Sequence, residues 1–135
     1  MQNIRFSSKE HQAFYHEMLA KTGNNDSYHQ AFFYTMGICE ETRCNIRTLF
    51  DFKEGGIKPE GLSTAWQTGS TRRLCRLAFN LWNGWTEEGN ESRSAPYELF
   101  CCGFAPYFFE SIRLRYPEYC RNMERITRQL TGKAR

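Results

Sequence analysis

The chain has 135 residues, which is the size of one domain and is enough to bury a hydrophobic core without disulfides or a structural metal. Aromatic residues make up 16% of it and valine is absent, so we expect rings to fill the core and helices to build it. The net charge is only +3, and no apolar run approaches the roughly 18 residues of a membrane span. The first residues also lack the apolar stretch of a signal peptide, so we expect a cytoplasmic protein with reduced cysteines and no membrane contact.

The first predicted helix begins in the segment SSKE, at residues 7–10. Ser7 and Glu10 have the spacing of a capping box, in which each side chain satisfies a free backbone N–H group. The apolar residues that follow recur at helical spacing: Phe14, Tyr15, Met18 and Leu19. Gly23 is expected to end this helix, since glycine tolerates the left-handed conformation found there.

The second and third helices are predicted on either side of Gly37. Asp26 or Ser27 would cap the second, whose large apolar residues extend beyond a single stripe and predict burial on more than one side. Gly37 is expected to end it, again in the left-handed conformation. The third helix is predicted over residues 39–52, and the turn-rich segment KEGGIKPEGL at residues 53–62 then acts as a connector.

The fourth helix, predicted over residues 70–83, has the most regular apolar stripe in the sequence: Leu74, Leu77, Ala78, Leu81, Trp82 and Trp85. The polar segment TEEGNESRS that follows predicts an exposed loop. Further helices are expected from Ser94 to Gly103, from about Pro106, and from Pro117 to about Leu130. The sequence therefore predicts an all-α fold of six or seven short helices with an aromatic-rich core, forming a single helical domain over residues 1–135.

The six cysteines and three histidines do not have the spacing of a metal site. Structural zinc sites pair cysteines with two to four residues between them, and no two such pairs occur here. We therefore predict no metal and no cofactor. His29 beside Asp26 has acid–base potential, but a helix cap explains both residues more economically, so no catalytic residue is predicted.

The segment TGSTRRLCR predicts a binding site at the start of the fourth helix. If Ser70 caps this helix, Arg72 and Arg73 lie in its first turn and Arg76 lies one turn later, where cations oppose the helix dipole. Free N–H groups, hydroxyls and guanidinium groups would then favour an anion, either a phosphate or a carboxylate of a partner. Alternatively, an acidic residue such as Glu60 neutralises the arginines. Because Trp and Arg are favoured at binding hot spots, the predicted site comprises Trp66, Ser70, Thr71, Arg72, Arg73 and Arg76.

A second basic surface is predicted on the last helix, where three arginines share one face: Arg121, Arg125 and Arg128. Glu118 and Glu124 are spaced to pair with part of this charge within the helix. Together with the arginines of the fourth helix, this face supports the alternative hypothesis of a nucleic-acid-binding protein.

Three segments carry a resemblance to a known family: KEHQAFYHEMLAKTGNNDSYHQAFFYTMGI, IKPEGLSTAWQTGSTRRLCRLAFNLWNG and YELFCCGFAPYFFESIRLRYPEYC. Over about residues 4–121 the chain resembles a family of short proteins of unknown function from Firmicutes. The resemblance implies a bacterial cytoplasm and an association with mobile elements, and it brings no catalytic residues.

The leading hypothesis is a non-catalytic interaction or regulatory protein of a mobile element. It would bind a host or element-encoded protein, for example to inhibit a defence nuclease, and would itself be a monomer or a weak homodimer. Nucleic-acid binding is the first alternative, and a small enzyme that uses Asp26 and His29 is the second.

Overall fold

The computed structural model describes residues 3–120, which fold into a helical body with one short β-hairpin. Its α-helices are α1 (Lys9–Thr22), α2 (Ser27–Gly37), α3 (Glu40–Cys44), α4 (Gly69–Asn83), α5 (Pro96–Leu99) and α6 (Ala105–Arg115). Short 3-10 helices lie at Ile46–Thr48, Pro59–Ser63 and Glu91–Ser94. The hairpin pairs β1 (Phe50–Asp51) with β2 (Gly56–Ile57) in antiparallel register. The predicted all-α class is confirmed, and in this part of the chain no helix combines the length and apolar content needed to cross a bilayer.

Helix α2 lies at the centre of the fold, packed against α1, α4 and α6. All of its residues from 31 to 37 are buried, as expected for a helix enclosed on several sides. The ring of Phe32 contacts Phe50 and Trp82 at centroid distances of 5.2 Å and 5.6 Å. Such contacts join α2 to the hairpin and to α4, so the predicted aromatic-rich core is confirmed.

Two of the predicted helix ends are confirmed. Gly23 ends α1 with φ at 69°, the left-handed conformation that glycine adopts without a steric penalty. Asp26 caps α2, because its carboxylate accepts a hydrogen bond from the backbone N–H of His29 at 2.9 Å. The polar segment between the first two helices therefore ends one helix and begins the next.

The predicted Ser7 cap is wrong by one residue. Ser8 is the N-cap of α1 and accepts a hydrogen bond from the backbone N–H of His11 at 3.0 Å. The Ser7 hydroxyl instead donates to the carbonyl oxygen of Ile38 at 2.9 Å, which ties the N-terminal segment to the end of α2. Sequence spacing alone does not show which of the two adjacent serines caps α1. The tertiary contact of Ser7 with Ile38 leaves that role to Ser8.

The predicted third helix over residues 39–52 is also wrong, since α3 ends at Cys44. Beyond it the chain forms a 3-10 turn and then the hairpin, whose tight turn contains Gly55 at φ 77°. Strand β1 places Phe50 among the rings of α2 and α4, which a continued helix would not do. Burial of this ring favours the hairpin over the helix that the apolar spacing predicts.

Gly37 does not have the predicted left-handed conformation, since it is the last residue of α2. A Cβ atom at this position would lie 2.6 Å from Cδ2 of His11, so the glycine permits close approach of α1 and α2. His11 itself is fully buried, with Nε2 donating to the carbonyl oxygen of Tyr34 at 2.7 Å and Nδ1 accepting from the backbone N–H of Ser7 at 3.0 Å. Burial lowers the pKa of His11 to about 4. We call the close contact of Gly37 with His11, together with the hydrogen bonds of the His11 ring, the α1–α2 seam.

The chain after α4 is less helical than predicted. The region from Ser94 to Gly103 contains only the four-residue helix α5, preceded by a 3-10 turn. Helix α6 is present, with Pro106 in its first turn as predicted. Residues 117–120 are helical, and the rest of the helix predicted from Pro117 to about Leu130 lies outside the described residues.

Candidate functional site: an arginine-lined cleft

The start of α4 differs from the predicted anion site. Thr68, not Ser70, is the N-cap, and it forms a capping box with Thr71. The Thr71 hydroxyl accepts from the backbone N–H of Thr68 at 2.7 Å and donates to Oε1 of Gln67 at 2.6 Å. Thr71 is buried, and its hydroxyl is already engaged in the capping box. Ser70 is an ordinary first-turn residue of α4. The two hydroxyls do not form the predicted cradle, because the true cap begins two residues earlier.

Arg73 is held by neighbouring groups on α4 and α5. Its Nη2 lies 3.0 Å from Oε1 of Glu98, its Nε donates to the Glu98 carbonyl oxygen at 3.0 Å, and its Nη1 donates to the Gly69 carbonyl oxygen at 3.2 Å. All three guanidinium nitrogens have partners, so Arg73 joins α4 to α5. The neutralising carboxylate belongs to Glu98 and not to Glu60, the example that the sequence suggested.

Trp66 does not lie free on the surface. Its ring packs against the hydrophobic core, and its Nε1 is buried without a hydrogen-bond partner among residues 3–120. The predicted second basic face of Arg121, Arg125 and Arg128 lies outside the described residues.

The structure brings Arg72 and Arg76 together in a cleft of about 580 Å³, which we call the arginine cleft. Arg93 is the third arginine that lines it, and Glu87 is its acidic residue. Its remaining walls come from the 3-10 turn after the hairpin and from the segment after α4: Pro59, Leu62, Ser63 and Trp85. Two of the six predicted site residues therefore share a concave surface with groups that local sequence does not place beside them.

One carboxylate bridges two of the three arginines in the arginine cleft. Glu87 places Oε1 3.4 Å from Nε of Arg76 and Oε2 3.5 Å from Nη1 of Arg93. The side chain of Arg76 is only 9% exposed, so solvent screens its charge weakly. Arg72 is oriented differently, because its Nε donates to the carbonyl oxygen of Leu62 at 3.1 Å.

Several donors in the arginine cleft remain available to a ligand. Within residues 3–120, the Nη groups of Arg72 and Arg76 have no hydrogen-bond partner. The indole of Trp85 packs edge-on against Phe79 at a centroid distance of 5.5 Å, which fixes one wall. Guanidinium groups beside an aromatic wall suit a carboxylate or a phosphate, since guanidinium binds either in a planar, bidentate geometry.

Sequence reasoning missed Trp85, Glu87 and Arg93 as members of a site. Trp85 belongs to the apolar stripe predicted for the fourth helix, and the other two lie in the segment predicted to be an exposed loop. That segment folds back against α4, which no local spacing indicates. The only available signal was the unpaired charge of the α4 arginines, which required a carboxylate from elsewhere in the chain.

Asp26 and His29 form a pair beside a smaller cleft of about 260 Å³. His29 lines this cleft together with Lys21, Phe52 and Lys53, and its Nδ1 lies 2.9 Å from Oδ1 of Asp26. Partial burial would raise the pKa of Asp26, but the hydrogen bonds from His29 outweigh it and hold the pKa below its ordinary value.

The Asp26–His29 pair has the geometry of a helix cap that also orients an imidazole. The His29 ring packs edge-on against Trp82 at 4.9 Å. Of the residues lining this cleft, Thr22 carries a hydroxyl, and that hydroxyl donates to the carbonyl oxygen of Met18 at 3.0 Å. That the pair is a helix cap and not a catalytic site stays a prediction, with the small enzyme as the second alternative.

The cysteines of the described region differ in exposure: Cys39 and Cys75 are buried, and Cys102 and Cys120 are partly buried. Burial raises the pKa of Cys75 to about 12, which keeps its thiol protonated and unreactive at neutral pH. Cys44 and Cys101 are exposed. Over residues 3–120, no three His, Cys, Asp or Glu side chains gather closely enough to hold a metal ion.

Comparison with known proteins identifies a family and no individual relative. No curated protein and no solved structure matches the chain. The model of a family of unknown function, DUF6075, matches residues 1–128, in agreement with the resemblance to an uncharacterised family. With nearly its whole length covered by that match, the chain belongs to DUF6075.

Proposed function

We propose that this protein is a non-catalytic interaction protein whose arginine cleft binds an acidic segment of a partner protein. Its expected setting, taken from the resemblance, is the cytoplasm of a Firmicutes bacterium that carries a mobile element. The partner would be a host or element-encoded protein, with a defence nuclease as one example. The protein itself would act as a monomer or a weak homodimer.

The observation that carries the proposal is the charge balance of the arginine cleft. Three guanidinium groups face one carboxylate there, which leaves two formal positive charges in excess. Arg76 is nearly buried, and a partly desolvated cation attracts an anion more strongly than a fully solvated one. An acidic partner would neutralise this excess, and Trp85 would contribute apolar contact next to it.

The arginine cleft is also held in place before any partner arrives. The capping box of Thr68 and Thr71 fixes the start of α4, and the Leu62 carbonyl oxygen orients Arg72. Groups that are already ordered lose less conformational entropy on binding, so a larger share of the interaction energy appears as affinity.

The proposal is tested by capture from cells of the bacterium that encodes the protein. The double variant Arg72→Met/Arg76→Met removes two charges of the arginine cleft and keeps most of the side-chain volume. Arg73→Met is the matched control, since it removes one arginine of the same helix that lies outside the cleft. We expect one protein to be cross-linked in stoichiometric amount to the wild type and to the control. The double variant should no longer capture that protein.

Capture that is unchanged in the double variant would contradict the proposal. Nuclease treatment of the lysate separates the nucleic-acid hypothesis, because a complex held by DNA or RNA would disappear. The nucleic-acid hypothesis would replace the proposal if two results were obtained together. The protein would bind DNA or RNA directly at about 50 mM salt, with affinity that falls steeply as salt is added, and the captured protein would be lost after nuclease treatment.

A further inference from the structure

We infer that the arginine cleft takes a phosphoryl group with two negative charges, carried by the partner protein, and that Glu87 occupies the place of this group in the free protein. This inference rests on the proposed function and names the chemistry of the group that the partner presents. It depends on three properties of the cleft: its excess charge, the geometry of Glu87, and the donors that remain.

The charge of the cleft favours a dianion over a monoanion. Arg72, Arg76 and Arg93 together exceed the charge of Glu87 by two. A phosphate monoester carries close to two negative charges at neutral pH, whereas one carboxylate, or one phosphodiester of a nucleic acid, carries a single charge. Displacement of Glu87 would leave three positive charges in the cleft, of which a phosphoryl group offsets about two and a carboxylate offsets one.

The geometry of Glu87 is that of a weakly held substitute. Its Oε1 lies 3.4 Å from Nε of Arg76 and its Oε2 lies 3.5 Å from Nη1 of Arg93, and Oε2 also accepts from Nδ2 of Asn90 at 3.4 Å. Charge-assisted hydrogen bonds are ordinarily about 2.7–2.9 Å long. The pair Arg73–Glu98 approaches that length at 3.0 Å. Glu87 therefore spans two cations without bonding closely to either, and a better anion can displace it.

The remaining donors exceed what a carboxylate can use. Arg72 contributes a guanidinium group whose Nε is fixed by the Leu62 carbonyl oxygen and whose Nη groups have no partner in the described part of the chain. A carboxylate has two oxygens, which Glu87 divides between Arg76 and Arg93. A phosphoryl group has three free oxygens, one for each of the three arginines.

The first experiment measures the affinity of phenyl phosphate and of benzoate by calorimetry at neutral pH. Both probes carry one aromatic ring for Trp85, and they differ in the charge and the number of oxygens of the anionic group. We expect phenyl phosphate to bind at least about tenfold more tightly than benzoate, the effect of one additional charge-assisted hydrogen bond. Equal affinities, or no binding of phenyl phosphate, would overturn the inference.

Variants assign this binding to the arginine cleft. Arg76→Met should weaken phenyl phosphate about tenfold or more, and the more exposed Arg72→Met provides the same test if Arg76→Met does not fold. Glu87→Gln should strengthen binding, because the competing carboxylate is removed, and Arg73→Met should leave it unchanged. Weaker binding in Glu87→Gln would contradict the role assigned to that carboxylate.

The second experiment distinguishes failure of this inference from failure of the proposed function. The captured partner is treated with phosphatase before it is mixed with wild-type protein. Loss of capture supports a phosphoryl group on the partner. If capture survives phosphatase but is lost in Arg72→Met/Arg76→Met, the inference is overturned and the proposed function stands. If capture survives phosphatase and also persists in the double variant, both the inference and the proposed function are overturned.

Discussion

The α1–α2 seam and the arginine cleft both contain polar groups shielded from water, but they differ in how completely those groups are paired. In the seam, both ring nitrogens of His11 have partners, from Ser7 and Tyr34. In the cleft, one carboxylate serves two arginines, and the Nη groups of Arg72 and Arg76 have no partner within residues 3–120. A saturated polar group stabilises the fold, whereas an unsaturated one can bind a ligand.

The largest expected effect on stability is at the closest contact of the seam. Gly37→Ala would place a Cβ 2.6 Å from the ring of His11 and 3.0 Å from that of Phe14, so the two helices must separate. Overpacking of this kind typically costs about 1–3 kcal/mol of unfolding free energy, which urea titration measures. Gly103→Ala is the control, because open space surrounds that position. Equal losses in the two variants would show that the close contact is not what matters at Gly37.

The second effect is a loss of stability in mild acid that originates from the same seam. The pKa of His11 is about 4 in the folded state against 6.5 for an unperturbed histidine, so the unfolded chain binds this proton more readily. The contribution of His11 to the unfolding free energy is therefore complete above about pH 6.5 and declines as the pH falls towards about 4. Between about pH 7 and pH 5 we expect the unfolding free energy to fall by about 2 kcal/mol.

This acid effect is assigned by comparing two histidine variants. His16 is exposed, so His16→Gln should keep the pH dependence of the wild type. His11→Gln should lose most of it, and an NMR titration of the His11 ring gives the same information if that variant does not fold. An NMR pKa near the ordinary value would contradict the description of the seam as a closed polar contact.

The smallest effect on stability is expected in the arginine cleft. Arg72→Met removes one guanidinium group, whose hydrogen bond to the rest of residues 3–120 runs from Nε to the carbonyl oxygen of Leu62. We expect a loss of about 0.5 kcal/mol, because Arg72 is only half-buried and loses a single hydrogen bond, although the same variant should weaken binding. A loss as large as that of Gly37→Ala would mean that the cleft, like the seam, is a structural feature.

Much of the helical framework could be predicted from the sequence, because helix ends and apolar stripes depend on residues within one or two turns of one another. Gly23, Asp26 and the stripe of α4 behave as their local patterns indicate. The hairpin at Phe50 could not be predicted in this way, since the burial of its ring depends on α2 and α4. The apolar spacing there predicts a helix, and the tertiary contact outweighs it.

The arginines of α4 show the same division at the candidate site. The sequence by itself determined that Arg72, Arg73 and Arg76 lie close to the start of a helix with more positive charge than that helix can neutralise. Only the tertiary structure decided which of them are available: Glu98 holds Arg73, while Glu87 is shared between Arg76 and Arg93. Helical spacing follows from the backbone geometry of a few consecutive residues, but the pairing of charges depends on distances between segments that only the folded chain brings together.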